Sequence, residues 1–351
     1  MEKGDLCMLH RKWMLLGSFF AMVLFTVNAI PSVETYIKQV KNNQHAEHEL
    51  VEEHELVDTK AEIRPAFASA NKSILLDTIT KEAEKRRIAP INAKVDSVWK
   101  AIPGYNGLEV DIEETLKLAE HQLTPNQINY VMKEVEPSIQ LDDLGPNPVY
   151  KGNPKKPMVS IMINVAWGNE FLPSMLETLR KENVHATFFF DGSWLKKNTE
   201  MAKRILSEGH EVSNHAYSHK DMRTISRSKA VEEISKTEEL LKQLGVKNVL
   251  FAPPSGYFNQ ETVQVASEFK LQTILWTFDT IDWKNPGAGR ILERLSNQVE
   301  PGTLILMHPT VSSRDALPGM ISLIKKKGLV VGTVSDLLSS KRITGQGQIT
   351  K

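Results

Sequence analysis

Gly209-His210-Glu211-Val212-Ser213-Asn214-His215-Ala216-Tyr217-Ser218-His219 ends on two histidines four positions apart. At that spacing His215 and His219 can bring their imidazoles to one side of a helical turn, a common way to hold zinc. A hydrolytic zinc site also needs a third protein ligand, an open position for water and a base. About fifty residues upstream, where a strand should deliver two acids, the chain reads Asn164-Val165-Ala166-Trp167-Gly168. The histidines stand without the carboxylates that such chemistry uses.

Around this run, strand and helix patterns alternate from Pro157 onward. Strands are expected at Met158–Asn164, Ala186–Phe190, Val249–Phe251, Gln272–Trp276, Thr303–Met307 and Leu329–Val331, and Glu211-Val212 leads into the histidine pair. Helices are expected at Leu172–Glu182, after Phe190 to about Glu208, at Ile291–Val299 and near Leu317–Lys326. Val231, Ile234, Leu240, Leu241 and Leu244 line one face of another, which Gly245 ends. This alternation predicts a parallel sheet or barrel, with chemistry at the C-terminal ends of its strands.

Five short runs then fall in order: Asn164–Gly168, His215–His219, Ala252-Pro253-Pro254-Ser255-Gly256, Asp279-Thr280-Ile281-Asp282-Trp283 and Leu304-Ile305-Leu306-Met307-His308. From about Pro157 to Leu338, roughly half of the chain, they resemble the motif set of the polysaccharide deacetylase family (the NodB-homology fold, carbohydrate esterase family 4). The resemblance implies a distorted (β/α) barrel. It gives His215 and His219 as metal ligands for Zn2+ or another divalent ion, and His308 as general acid, oriented by a motif-four acid, Asp282, beside Asp279. It places Ala166 where the family has its general base and Trp167 where it has the third ligand. Ala252 stands for the arginine that steadies the base, and Ala216 for a hydroxyl residue. Metal binding is therefore expected to be weakened or lost, with Glu170 a substitute ligand if the loop rearranges and Trp167 filling the metal pocket if it does not. Trp283, Pro253, Pro254, Ser255 and Gly256 are expected to line the substrate groove.

The losses are physically coherent. Deleting one partner of a buried ion pair strands a charge at a cost of about 3–5 kcal/mol, and here both partners are alanine. Lack of a positioned base alone removes roughly 10²–10⁴-fold in rate. Three functions follow as expectations. One is a glycan-binding or scaffold pseudoenzyme acting on peptidoglycan or another N-acetylated glycan. A second is an active metal-dependent N-deacetylase with a substitute ligand. The third is a protein-interaction module working through residues 88–150.

The chain has 351 residues, 43 basic against 43 acidic, so no global field favours nucleic acid or an anionic surface, and no nucleic-acid partner is expected. The single cysteine, Cys7, excludes an intramolecular disulfide and a cysteine zinc site. Trp13 to Ile30 is uncharged and apolar, preceded by His10, Arg11 and Lys12. Its eighteen residues span roughly 27 Å, barely a bilayer core, with the N-terminus cytoplasmic and the rest exported. A membrane helix acting as signal-anchor is favoured over a signal peptide cleaved near Ala29. The expected organisation is 1–31 tip and anchor, 32–87 polar stalk, 88–150 small α/β module, 151–342 deacetylase-like domain and 343–351 tail. In the stalk His45, His48 and His54 accompany a short repeat, without fixed ligand geometry. In the module, Val95, Val98, Trp99 and Ile102 share a helical spacing, Asp111 caps a helix to about His121, and Thr124-Pro125 opens another to about Glu136. The anchor, the module and the run Asn164–Glu170 together resemble the YlxY-like sporulation proteins of spore-forming Gram-positive bacteria, which implies a cell-surface or forespore-envelope site.

Overall fold

The computed structural model describes residues 60–120 and 128–343. The apolar run 13–30, Cys7, the histidines at 45, 48 and 54, the Thr124-Pro125 start and the tail beyond 343 lie outside the described residues. Among those described, no helix is long and apolar enough to cross a membrane. The polar segment before residue 87 contains helix α1 (Lys60–Arg86). From Lys72 onward the described residues form one compact unit.

The small module departs from its sequence reading in two places. Val95, Val98, Trp99 and Ile102 do not share a helix; β1 (Lys94–Asp96) and β2 (Lys100–Ile102) form an antiparallel hairpin. The Asp96 carboxylate accepts the backbone N–H of Val98 at 2.8 Å and of Trp99 at 2.9 Å, a local turn that competes with helix. Lys100 completes it at φ 56, and Val95 and Val98 are left exposed. β3 (Gly107–Val110) and α2 (Ile112–Glu120) follow, with Asp111 accepting the Glu114 N–H at 3.1 Å as its spacing predicts. The helix expected to run to Glu136 is instead β4 (Met132–Val135), antiparallel to β3, because pairing along the open β3 edge overrides a weak local preference.

The remaining elements alternate as expected: β5 (Met158–Val165), α3 (Leu172–Lys181), β6 (Thr187–Phe190), α4 (Gly192–Lys197), α5 (Thr199–Ser207), β7 (Glu211–Asn214), α6 (Arg227–Gln243), β8 (Leu250–Phe251), α7 (Gln260–Glu268), β9 (Gln272–Thr273), β10 (Phe278–Asp279), α8 (Ala288–Gln298), β11 (Leu304–Met307), α9 (Val311–Lys326), β12 (Val330–Gly332) and α10 (Val334–Leu338). The strands pair in parallel in the order β10-β11-β5-β6-β7-β8-β9, with β12 also on β5. Every residue of β5 is buried, as expected of a central parallel strand covered on both faces. Ile161, Ile163, Phe188 and Phe190 face the helices, while Met162, Phe189, Leu250, Ile274 and Leu306 share the opposite cluster.

The sheet curves into a half-barrel whose ends are β9 and β10. The strand expected over Gln272–Trp276 stops at Thr273, since its next partner is not a strand but Val149. The Val149 N–H donates to Thr273 O at 2.9 Å and the Leu275 N–H to Val149 O at 2.8 Å. Lys156, fully buried, donates to the Asp336 and Ser339 carbonyls at 2.6 and 2.7 Å, satisfying the C-terminal end of α10.

Candidate functional site

The strand registers fix which residues meet at the C-terminal edge. Val165 pairs with Phe190, Phe190 with Asn214, and Asn214 with Phe251. The residues one step beyond therefore stand in a row: Ala166, Asp191, His215 and Ala252. Their backbone ladder is continuous, with Asp191 N–H to Val165 O at 3.0 Å, His215 N–H to Phe190 O at 2.9 Å and Ala252 N–H to Asn214 O at 2.9 Å. On the other flank β11 pairs with β5 and β10 with β11, which brings His308 and Asp279 to the same edge.

His215 and His219 do not lie on a helical turn as their spacing suggests. They sit in a loop after β7 in which Ala216 (φ 59) and His219 (φ 52) are left-handed. Side chains hold that loop: Asn214 Oδ1 accepts the Ala216 N–H at 2.8 Å, and the buried Glu233 carboxylate accepts the Tyr217 and Ser218 N–H groups at 3.1 and 2.7 Å. The imidazoles still meet, centroids 5.3 Å apart and planes at 73°. His215 Nδ1 lies 2.7 Å from the Ala252 carbonyl, which can only accept, so Nδ1 carries the proton and Nε2 the lone pair. Burial first, then the neighbouring His219, pushes the His215 pKa down to about 3. Burial likewise lowers His219, against the pull of Asp191.

In the first-motif loop, Gly168 takes φ 81, and a Cβ there would fall 2.0 Å from Pro309 O, so only glycine lets this loop lie against the residue after His308. Trp167 is thereby laid over His308, centroids 5.4 Å apart and planes at 14°, with an edge contact to His219 at 6.3 Å. Asn169 is tied down, accepting from Trp194 Nε1 and donating to Asn198 Oδ1, each at 2.6 Å. Glu170 follows on the exposed surface.

The opposite flank is fully bonded. Asp282 is buried, accepting the His308 backbone N–H at 2.6 Å, His308 Nδ1–H at 2.8 Å and the Ser313 hydroxyl. Burial alone would raise its pKa; the His308 and Ser313 bonds outweigh it and hold the carboxyl below its usual range. Asp279 Oδ1 accepts the Ile281 N–H at 2.8 Å. Trp283 is exposed. Pro253 and Pro254, expected to line the groove, are buried, and Ser255 (φ 54) is the exposed residue of that turn. His185 and His210 pack on each other at 5.8 Å, with His210 Nδ1 accepting the Ala186 N–H, a structural role.

Asp191 was not singled out by its sequence context, though an acid directly after Phe188-Phe189-Phe190 occupies a strand end. Its Oδ1 accepts the Trp194 N–H at 2.9 Å and the Ser193 hydroxyl at 2.5 Å, capping α4. Its Oδ2 is buried without a hydrogen-bond partner. Burial raises its pKa, while the bonds and the nearby His219 oppose that rise.

A hydrolytic zinc centre takes three protein ligands. Among the described residues no group of three His, Cys, Asp or Glu is arranged to hold a metal ion, and an indole lies at the third position. The donor set does not fit the metal that the family uses.

Fold and motif order define a class, and the comparisons agree. Residues 151–274 match the polysaccharide deacetylase family model. The chain belongs to the polysaccharide deacetylase family, carbohydrate esterase family 4. It is 42% identical over 276 residues to the protein YlxY of Bacillus subtilis, covering 78% of this chain and 86% of that one. It is 30% identical over 201 residues to the peptidoglycan-N-acetylmuramic acid deacetylase PdaA of Bacillus subtilis, covering 55% and 76%. Among solved structures, wild-type BA3943, a CE4 family pseudoenzyme from Bacillus anthracis, superposes with a TM-score of 0.70 at 44% identity, covering 77% of this chain and 96% of that one. A BA3943 mutant described as having restored enzymatic activity matches with the same TM-score at 43% identity, covering 77% and 99%.

Proposed function

We propose that this chain is an envelope glycan-binding pseudoenzyme, derived from a metal-dependent deacetylase and retaining its cleft without its chemistry. The observation that carries the reading is the row Ala166–Asp191–His215–Ala252. The positions of base and arginine are both alanine in one backbone ladder, and Trp167 covers the retained His308. Exposed Trp167 and Trp283 supply apolar faces suited to sugar rings. Likeness to PdaA, a peptidoglycan deacetylase, supports peptidoglycan or another N-acetylated glycan as the partner class. The apolar run 13–30 supports export, with retention at the membrane or release by cleavage near Ala29, and the likeness to YlxY supports a role in the sporulating envelope.

The intact Asp282–His308 pair favours a second reading, a weak N-deacetylase. Zinc analysis of the purified full-length chain, with acetate release from N-acetylglucosamine oligomers, separates the two. The pseudoenzyme reading expects less than a tenth of an equivalent of zinc, no turnover and retained oligomer binding. Stoichiometric zinc with turnover abolished by His215→Ala would sink it.

A further inference from the structure

We infer that a cavity at the far end of the barrel binds a short peptide carrying both a free ammonium and a free carboxylate. The cleft lies at the C-terminal ends of the strands; this cavity, of about 800 Å³, opens where β8 and β9 begin. The 3-10 turn Leu141–Leu144 forms one wall, the residues after α7 another, and α10 with the serines that follow it the rest. Small-ligand sites usually measure roughly 300–1,000 Å³ and are already shaped before the ligand arrives. Internal bonds shape this one. Gln272 Nε2 donates to Asn147 O at 2.5 Å, Gln260 Nε2 to Pro146 O at 3.1 Å and Asn147 Nδ2 to Leu144 O at 2.8 Å. Lys156 fixes the end of α10 through the Asp336 and Ser339 carbonyls. On the turn side Gly145 borders open space, since a Cβ there would meet nothing within 4 Å.

The lining decides what fits. Leu141, Val249, Leu250, Leu271 and Leu338 make an apolar floor. Its two charged side chains are Asp142 and Lys270, and among the described residues neither has an ion-pair or hydrogen-bond partner. Asp143, by contrast, accepts the Gln140 N–H at 2.8 Å. The Ser267 and Ser340 hydroxyls of the lining are also uncommitted. No aromatic side chain lines the cavity, so a sugar ring or a nucleobase finds no face to stack on. A single ammonium without an arginine is a poor cradle for a phosphate group, and one carboxylate is too few for a hard cation. A peptide matches every element: its carboxylate meets Lys270, its ammonium Asp142, its amides the hydroxyls and its alkyl groups the leucines. Such a peptide occurs as the stem of peptidoglycan, ending in D-alanine, and as the C-terminus of a protein, ending in an L-residue.

The test is calorimetric titration of the full-length chain with Nα-acetyl-Lys-D-Ala-D-Ala, which carries one side-chain ammonium and one carboxylate, and with its L-alanine counterpart. Acetylating the ammonium or amidating the carboxylate should each weaken binding about tenfold or more. Asp142→Asn should cost as much as the acetyl cap and Lys270→Gln as much as the amide, each variant being indifferent to its own cap. Both side chains are exposed, so these substitutions leave the fold intact. Binding of neither peptide overturns the inference, as does binding that ignores the caps or the two substitutions. Tighter binding of the D-alanine form identifies the wall peptide as the source, and of the L-alanine form a protein C-terminus. N-acetylglucosamine pentamer should not displace the peptide, because the cleft lies at the other end of the strands; displacement overturns the placement. A pentamer that fails to bind sinks the glycan-binding reading and leaves the peptide result standing.

Discussion

The two flanks of the cleft have had different fates. On the β10–β11 side, Asp279, Asp282 and His308 keep a bonded arrangement; on the β5–β8 side, Ala166, Trp167 and Ala252 occupy the positions that the motif comparison assigns to charge and metal. The difference lies in what each side chain does for the fold. The Asp282 carboxylate satisfies the His308 backbone, the His308 ring and Ser313, so its removal strands buried donors. An acid–arginine pair has only itself to satisfy and can be replaced by two small apolar residues with little penalty. A buried acid that doubles as an internal hydrogen-bond hub is costly to replace; one that satisfies only its own partner is less so.

The sharpest way to break this contrast is to rebuild the altered flank. Ala166→Asp, Trp167→Asp and Ala252→Arg together should bind zinc and raise acetate release by roughly 10²–10⁴-fold over the wild type. An inert, zinc-free triple variant would mean that the two flanks no longer share one geometry. Second in size, Ala252→Arg alone should lower stability by about 3–5 kcal/mol in urea unfolding, and adding Ala166→Asp should recover most of it. On the bonded flank, Asp282→Asn turns an amide NH2 donor toward groups that themselves donate and should lower stability by about 3 kcal/mol, whereas Asp279→Asn should stay within about 1 kcal/mol. Equal losses at the two positions would remove the argument for a hub.

A smaller effect probes the scaffold behind both flanks. Burial first, then His185, pushes the His210 pKa down to about 4, so the ring is neutral in the fold. The folded value lies below the unfolded value of about 6.5, so the contribution is full above pH 6.5 and is lost as pH falls from there towards 4. Wild type should lose about 2–3 kcal/mol across that window beyond any loss in His210→Gln. Parallel pH profiles of the two proteins in urea unfolding would contradict it.

Much of the barrel was legible because hydrophobic runs in a covered parallel sheet leave little alternative, and the strand expected over Met158–Asn164 is found as Met158–Val165. The row at its edge was only half legible. Motif spacing found Ala166, His215 and Ala252, but Asp191 becomes visible once Phe190 is known to pair with both Val165 and Asn214. Pro253 and Pro254 are buried where the motif comparison expects groove, because sequence cannot say which side of a turn meets solvent. In the module, the spacing of Val95, Val98, Trp99 and Ile102 fits a helix, yet one Asp96 carboxylate bonded to two backbone amides decides for a hairpin. Local side-chain competition of this kind leaves no periodic trace.

Val149 pairs with Ile274 just past β9 on one side and with Lys100 and Ala101 of β2 on the other, and it comes from the residues before the barrel. A shortened protein starting at residue 151 would uncover the Thr273 carbonyl and the Leu275 amide together, a raw strand edge beside buried leucines. Such edges recruit other chains. The preceding segment therefore acts as a sealant for the half-barrel, and self-association, rather than unfolding, is the failure expected when it is trimmed.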